Sequence, residues 1–151
     1  MNAQLKPAAI EIKLAAENLI VARLLAANGH FRQAVGTLYF AAYHTVVAVL
    51  AAQGIDVDYH EGVPAMFGQH FIRSGLVDPD AAQLLGVLYH SRIMADYGGN
   101  VGFDLTRYLL ATSQAARVIE ACCDYLRRDF PSLDLAGIER ERAELRRGAA
   151  E

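Results

Sequence analysis

The chain has 151 residues, of which 54% are apolar and 21% charged, and its net charge is −3 with a pI near 5.9. A chain of this length makes one domain, buries roughly 70% of the surface its unfolded form exposes, and needs no metal or disulfide staple. The apolar content excludes disorder, and the mild acidity excludes a long-range cationic field for phosphate backbones, so any nucleic-acid contact has to be local.

Charge or glycine interrupts each apolar run before it reaches the roughly 20 residues of a bilayer span, and no basic-then-apolar leader opens the sequence, so no membrane partner is expected. The surplus of Ala, Leu and Val leaves material for a subunit interface. Cys122 and Cys123 are adjacent within a helical pattern, where a disulfide would be strained and metal-ligand spacing is lacking. A reduced, cytoplasmic setting is expected.

From Pro7 to Ala27, Ile10, Leu14, Val21 and Leu25 recur at helical spacing, with Asn28-Gly29 as the stop. A second helix is predicted from Phe31 to Gln53, with an inward row of Phe31, Val35, Leu38, Ala42, Val46, Val49 and Leu50, a close helix contact at Gly36, and Gly54 as its cap. Residues 55–62 form a polar loop holding Asp56, Asp58, His60 and Glu61; they lack the spacing of a calcium loop or a zinc helix, so no metal or other cofactor is expected. Pro64 opens a short helix that ends at Ser74-Gly75, with His70 packed near Met66, Phe67 and Phe71.

Asp78-Pro79 caps a fourth helix with Leu84, Leu85 and Leu88 inward, halted by Gly98-Gly99-Asn100 just after Tyr97. A fifth runs from about Asp104 to Arg128 and stops before Pro131. The sequence divides into a bundle over residues 1–131 and a charged tail over 132–151. In the tail, Arg140, Arg142, Arg146 and Arg147 alternate with Glu, which predicts a solvated face on a marginal helix. The predicted fold class is all-α: an antiparallel bundle of four long helices plus one short helix.

Arg92 follows Leu88 by four positions and Leu85 by seven, so it projects from the margin of the apolar stripe of the fourth helix. Asp96 lies one turn on, within reach of the guanidinium, but an exposed pair of this kind is worth only about 0.3–0.5 kcal/mol. Two readings stay open: an ion pair closing a helix end, or a site that handles an anion. His44 with Tyr39, Phe40 and Tyr43 reads as core and interface.

The order of landmarks resembles the HEPN domain, in its stand-alone prokaryotic branch. The matching features are Leu38-Tyr39-Phe40-Ala41-Ala42-Tyr43-His44, the Gly54 stop, His60-Glu61-Gly62-Val63, Phe67, Phe71-Ile72-Arg73-Ser74-Gly75, and Arg92-Ile93-Met94-Ala95-Asp96-Tyr97. The resemblance implies a bundle that forms a homodimer, often paired with a small nucleotidyltransferase in toxin–antitoxin systems. Several such proteins are metal-independent ribonucleases in which Arg is followed four to six positions later by His. Here Arg92 matches the Arg, and Asp96, Tyr97 and Gly98 stand where the imidazole is expected.

Cutting RNA without a metal needs a base for the 2′-hydroxyl, an acid for the leaving oxygen and a cation for the phosphorane. A carboxyl titrating near about 3.9 or a phenol near about 10 is less suited than an imidazole near about 6.5. His60 and His90 are the candidates to supply the imidazole from elsewhere. The resemblance therefore implies a protein of the toxin–antitoxin kind with RNA- or nucleotide-binding potential and, in this sequence, a degenerate ribonuclease motif. Arg92 would be its anion contact, Asp96 the group orienting it, and Tyr97 a hydroxyl donor. The alternatives are an active ribonuclease and a non-catalytic interaction module.

Overall fold

The computed structural model describes residues 3–56 and 62–150. A 3-10 turn at Ala3–Leu5 leads into α1 (Lys6–Ala27), α2 (Phe31–Ala52), α3 (Val63–Phe67), α4 (Pro79–Tyr97), α5 (Leu105–Asp129) and α6 (Ala136–Ala150). No strand occurs among the described residues. Asp78 and Asp104 each accept a hydrogen bond at 3.0 Å from the backbone of the helix they open, at Asp80 N and Arg107 N, satisfying amides that have no partner within the helix.

The organising element is α2. Its side chains are buried around most of the circumference, including Ala34, Val35, Leu38, Tyr39, Ala42, Val46, Val49 and Leu50. Residues 34–52 carry no charge, so by length and composition α2 could cross a membrane, contrary to the expectation that every apolar run is interrupted. The helix is instead covered from several sides, by α1, α4 and α5. A helix apolar all round requires such burial. Glu11 meets His44 and Tyr39 meets Tyr89, so α1 and α4 run antiparallel to α2; Phe31 meets Tyr108 and Gln53 meets Tyr125, so α5 runs parallel to it.

The buried row of α1 differs from the predicted one. Ala8, Ile12, Ala15, Leu19 and Ala22 face inward, while Ile10 is 60% and Val21 45% exposed. Both rows have helical spacing. The inward one carries alanine at every seventh position, which lets α1 lie close on α2, and close packing with few voids wins over side-chain bulk. His70 is also exposed, not packed. After Phe67 the chain winds more widely over Gly68–Ile72, with Arg73 N bonding Gly68 O at 3.0 Å, and this turns Phe71 inward and His70 out.

The charged tail is the largest departure. α6 is a packed sixth helix that seats Ile138 and Leu145 in the same core cluster as the other helices. Its Glu141 is buried and paired with Arg23 of α1, and Glu139 receives Arg142 at 2.5 Å and Arg127 of α5. Burial pushes the Glu139 carboxyl up, but the Arg142 hydrogen bond and the Arg142 and Arg127 charges outweigh it and hold the group below its ordinary value of 4.5. The interleaved charges thus tie α6 down instead of solvating it.

Replacing one member of such a buried pair strands the other. Arg23→Met is expected to destabilise the protein by about 2 kcal/mol, less than a fully buried pair loses because Arg140 also approaches Glu141 at 3.4 Å; thermal melts against the parent measure it. The lowered Glu139 value makes its contribution fully present above pH 4.5 and lost as pH falls through the lower folded value. Protection factors of α6 amides, corrected for intrinsic exchange, should therefore fall below that pH in the parent, and Glu139→Gln should show a weaker pH dependence there.

Candidate functional site

The inward row of α4 runs Ala81, Leu85, Leu88 and Ala95, and Arg92 occupies the position in that row where one more apolar residue would complete the pattern. Opposite it on α2 stands Gly36, where an added Cβ would come 3.8 Å from Arg92 Cγ and 4.0 Å from Asp96 Oδ1. These are ordinary contact distances, so the glycine does not draw the two helices closer than an alanine would allow. The arginine stem lies across it.

Above that stem the guanidinium spreads over two rings, with Cζ 4.9 Å from the centre of Phe40 and 5.9 Å from that of Tyr39. Asp96 Oδ2 lies 3.2 Å from Nε, but the angle is poor and the buried Nε makes no hydrogen bond. The Arg92 side chain keeps 27% of its surface exposed and Asp96 44%. The cation is therefore neither sealed in nor saturated. It is held by aromatic faces, which attract it without consuming its donors.

Tyr39 is buried, and burial followed by the neighbouring Tyr43 raises its hydroxyl above the usual phenol value, with the Arg92 charge pulling the other way. It stays protonated at neutral pH. Phe40, at 36%, and Tyr89, at 42%, remain exposed beside the guanidinium, so the α2–α4 seam offers one charge among several rings.

The structure brings Arg92 and Asp96 together and leaves the other predicted residues apart. Tyr97 is 77% exposed at the last position of α4. His90, two residues before Arg92, projects from nearly the opposite side of the helix, is exposed, and contacts the Tyr89 ring at 5.9 Å. His60 lies outside the described residues, as do Asp58 and Glu61. His44 is half-buried instead of packed in the core, and its Nδ1 is 2.6 Å from Glu11 Oε2. The thiols offer no nucleophile: burial drives Cys122 well up and Cys123 to about 12.

Two arginines outside the predicted set shape this end of the bundle. Arg32, in the first turn of α2, donates through Nη1 to Ala95 O at 2.8 Å and, more distantly, to Met94 O and Gly98 O at 3.4 Å, and through Nη2 to Val101 O at 2.5 Å. Ala95 O belongs to the last turn of α4, whose carbonyls lack an intrahelical donor, while Gly98 O and Val101 O belong to the turn that follows; a cation there also meets the negative end of the helix dipole. Gly98 completes the cap, because a Cβ at that position would come within 2.8 Å of Met94 O. Phe103 then lies between Arg32 and Arg107, with ring-centre distances of 4.9 and 5.3 Å. The sequence signal for Arg32 is its position: a cation in a helix's first turn is unfavourable for that helix, so its partner has to be another element.

Arg32→Met should therefore free the α4 end. We expect a loss of about 2 kcal/mol in thermal or urea denaturation and faster amide exchange at Gly98 and Val101 than at Leu85, which is anchored by the core; equal protection at all three positions would refute the capping role.

Comparison with known proteins follows the same outline. The family described as HEPN domain matches residues 10–127, from the first turn of α1 to the end of α5. A protein of Methanocaldococcus jannaschii named "Putative toxin" is 34% identical over 86 residues, covering 57% of this chain and 64% of that protein. A UPF0332 protein of Pyrococcus horikoshii is 40% identical over 81 residues, 54% of this chain and 55% of the relative. Another from Thermotoga maritima is 33% identical over 90 residues, 60% and 68% respectively. The match thus spans somewhat under two thirds of the first two relatives' own length. With an all-helical bundle in which α1 to α5 fall within the matched region, this chain belongs to the HEPN domain family.

Proposed function

We propose that the protein is a toxin-like component of a toxin–antitoxin pair that binds RNA or a nucleotide at the α2–α4 seam and does not cut it. The observation that carries this reading is the Arg92 guanidinium, which stands in a core row yet is 27% exposed and is supported by ring faces in place of hydrogen-bond acceptors. Such a cation can take a phosphate through its free fork. Tyr89, packed on Tyr39 and 42% exposed, offers ring surface nearby for a base. The name "Putative toxin" given to the relative from M. jannaschii supports the setting.

The missing imidazole supports binding without cleavage. Among the described residues no histidine shares the Arg92 contact shell: His90 points away, and His44 is engaged by Glu11. A cation without a proton carrier stabilises an anion but supplies neither the base nor the acid that cleavage needs.

On this reading the working unit is a homodimer joined through Phe40 at the edge of the α2–α4 face, with the two Arg92 side chains left open to a shared cleft, in the cytoplasm, with a nucleotidyltransferase as the partner protein that the family resemblance implies. Exposed apolar surface next to a charged centre suits such a seam.

Fluorescence anisotropy with a labelled single-stranded RNA tests the proposal. The parent is expected to bind and leave the RNA intact, and Arg92→Ala to bind about tenfold more weakly, as loss of one charge-assisted contact implies. Unchanged binding by Arg92→Ala would exclude the site, and cleavage by the parent that Arg92→Ala abolishes would restore the ribonuclease reading. Sedimentation of Phe40→Asp should show monomer where the parent shows dimer.

A further inference from the structure

Across α4 from Arg92 lies a second feature. Ser91, the neighbour of Arg92, faces a different flank of the helix, about 100° round, and lines a cavity of about 250 Å³ between α4, α5 and α2. Its apolar floor is Leu110, 59% exposed, backed by the buried Val35 and Ala111, while Ser91 and Gln114 supply polar groups and Phe103 and Arg107 complete the lining. Gln114 also lines an adjoining cavity of about 380 Å³ further along the α4–α5 groove.

Arg107 is the unusual member. The other arginines of α5 have acid partners: Arg117 pairs with Asp80 at 3.0 Å, Arg127 with Asp124 at 3.1 Å and Arg128 with Asp129 at 3.1 Å. Arg107 has none among the described residues. Asp104, the nearest acid in sequence, accepts from the Arg107 backbone N–H and is committed to capping α5. The Arg107 guanidinium rests on Phe103, whose other contact is Arg32, already bound to four carbonyls. An exposed arginine fixed on a ring with its donors unspent, at the mouth of a cavity with an apolar floor and two amphoteric polar groups, is laid out for a phosphate joined to a flat heteroaromatic group.

We infer that this cavity is a second subsite for the same ligand: it takes one nucleotide unit of a single-stranded RNA, with the phosphate on Arg107 and the base against Leu110, its edge read by Ser91 and Gln114. The inference rests on the proposed binding at Arg92. Arg92 lies on the α2 side of the last turns of α4 and Arg107, from α5, beside Ser91 on another side, so a strand crossing the end of α4 meets both. Together with Arg32 they place three cations against Asp96 and Asp104, a local positive excess on a chain whose net charge is −3. This is the local contact that the overall charge requires of a polyanion ligand.

The test is anisotropy with a labelled single-stranded decamer RNA at several salt concentrations, with adenosine monophosphate as a separate titrant, on the full chain and on Arg92→Ala, Arg107→Ala, Arg107→Lys and Gln114→Leu. Arg107→Ala should weaken RNA binding about five- to tenfold and flatten the log–log salt slope by about 0.7, the share of one phosphate on a single strand. Arg107→Lys should recover the slope but not the full affinity, and Gln114→Leu should lower affinity several-fold without changing the slope. Near-parental melting temperatures identify these as ligand effects, since Arg107 and Gln114 carry no core contact of the kind Arg23 or Arg32 does. If Arg92→Ala weakens binding while Arg107→Ala matches the parent in affinity and slope, the second subsite is overturned and the first stands. If neither variant differs from the parent, or the parent binds no RNA, both are overturned. Binding of adenosine monophosphate that needs Arg107, with no RNA affinity, would overturn the strand-crossing arrangement and assign the cavity to a free nucleotide.

Discussion

A helix that is apolar around its whole circumference has to be covered on all sides, and α2 is such a helix. Its burial dictates the arrangement of the others: α1 and α4 lie antiparallel on two sides, α5 lies parallel on a third, and α6 closes the far side of α1 and α5. Cover is complete along most of α2 and thins at Phe40, which is 36% exposed. There the partner helix offers Arg92 in place of an apolar side chain, and the site sits where the packing pattern breaks. A cation in a core row is costly unless something compensates it, and the compensation is two ring faces and one carboxylate.

Arg32 makes that break reproducible. It holds the last carbonyls of α4 from the first turn of α2, so the position of Arg92 and Asp96 does not depend on the loop after Gly98. The same guanidinium sets Phe103 in place, and Phe103 in turn supports Arg107. One structural cation thus positions the two that remain available, and its bonds to backbone carbonyls explain why it is not itself available for a ligand.

Much of this was legible in the sequence because its signals were local. Asp78-Pro79, Gly98 and Pro131 bound their helices where capping chemistry says they should, and the Leu85, Leu88, Arg92 spacing placed the guanidinium on the inner margin of α4. The misreadings share a cause: each depended on a partner from another element. In α1 two apolar rows had equal periodicity, and only the fit of Ala8, Ala15 and Ala22 against α2 decided between them. In the tail, Ile138 and Leu145 lay seven apart among charges that read as solvated, because the partners of those charges, Arg23, Glu120 and Arg127, lie in other helices. Arg32 gave only a negative signal, a charge misplaced for its own helix, and His70 turned outward through a local change in helical winding that composition does not encode.

The chemistry of Arg92 turns on how weakly Asp96 holds it. Their contact is partly solvent-exposed and badly angled, and pairs of that kind contribute less than about 1 kcal/mol. A phosphate oxygen approaching the free fork in a bidentate arrangement gains roughly twice the strength of a neutral hydrogen bond. On the proposed reading the carboxylate therefore acts as a placeholder that keeps the guanidinium extended over Phe40 until an anion displaces it, at little cost to the fold because the rings remain. An imidazole in the same place would add a proton carrier to that exchange and turn holding into cutting. With aspartate there, the proposed reading expects the cation to hold an anion with no proton carrier beside it.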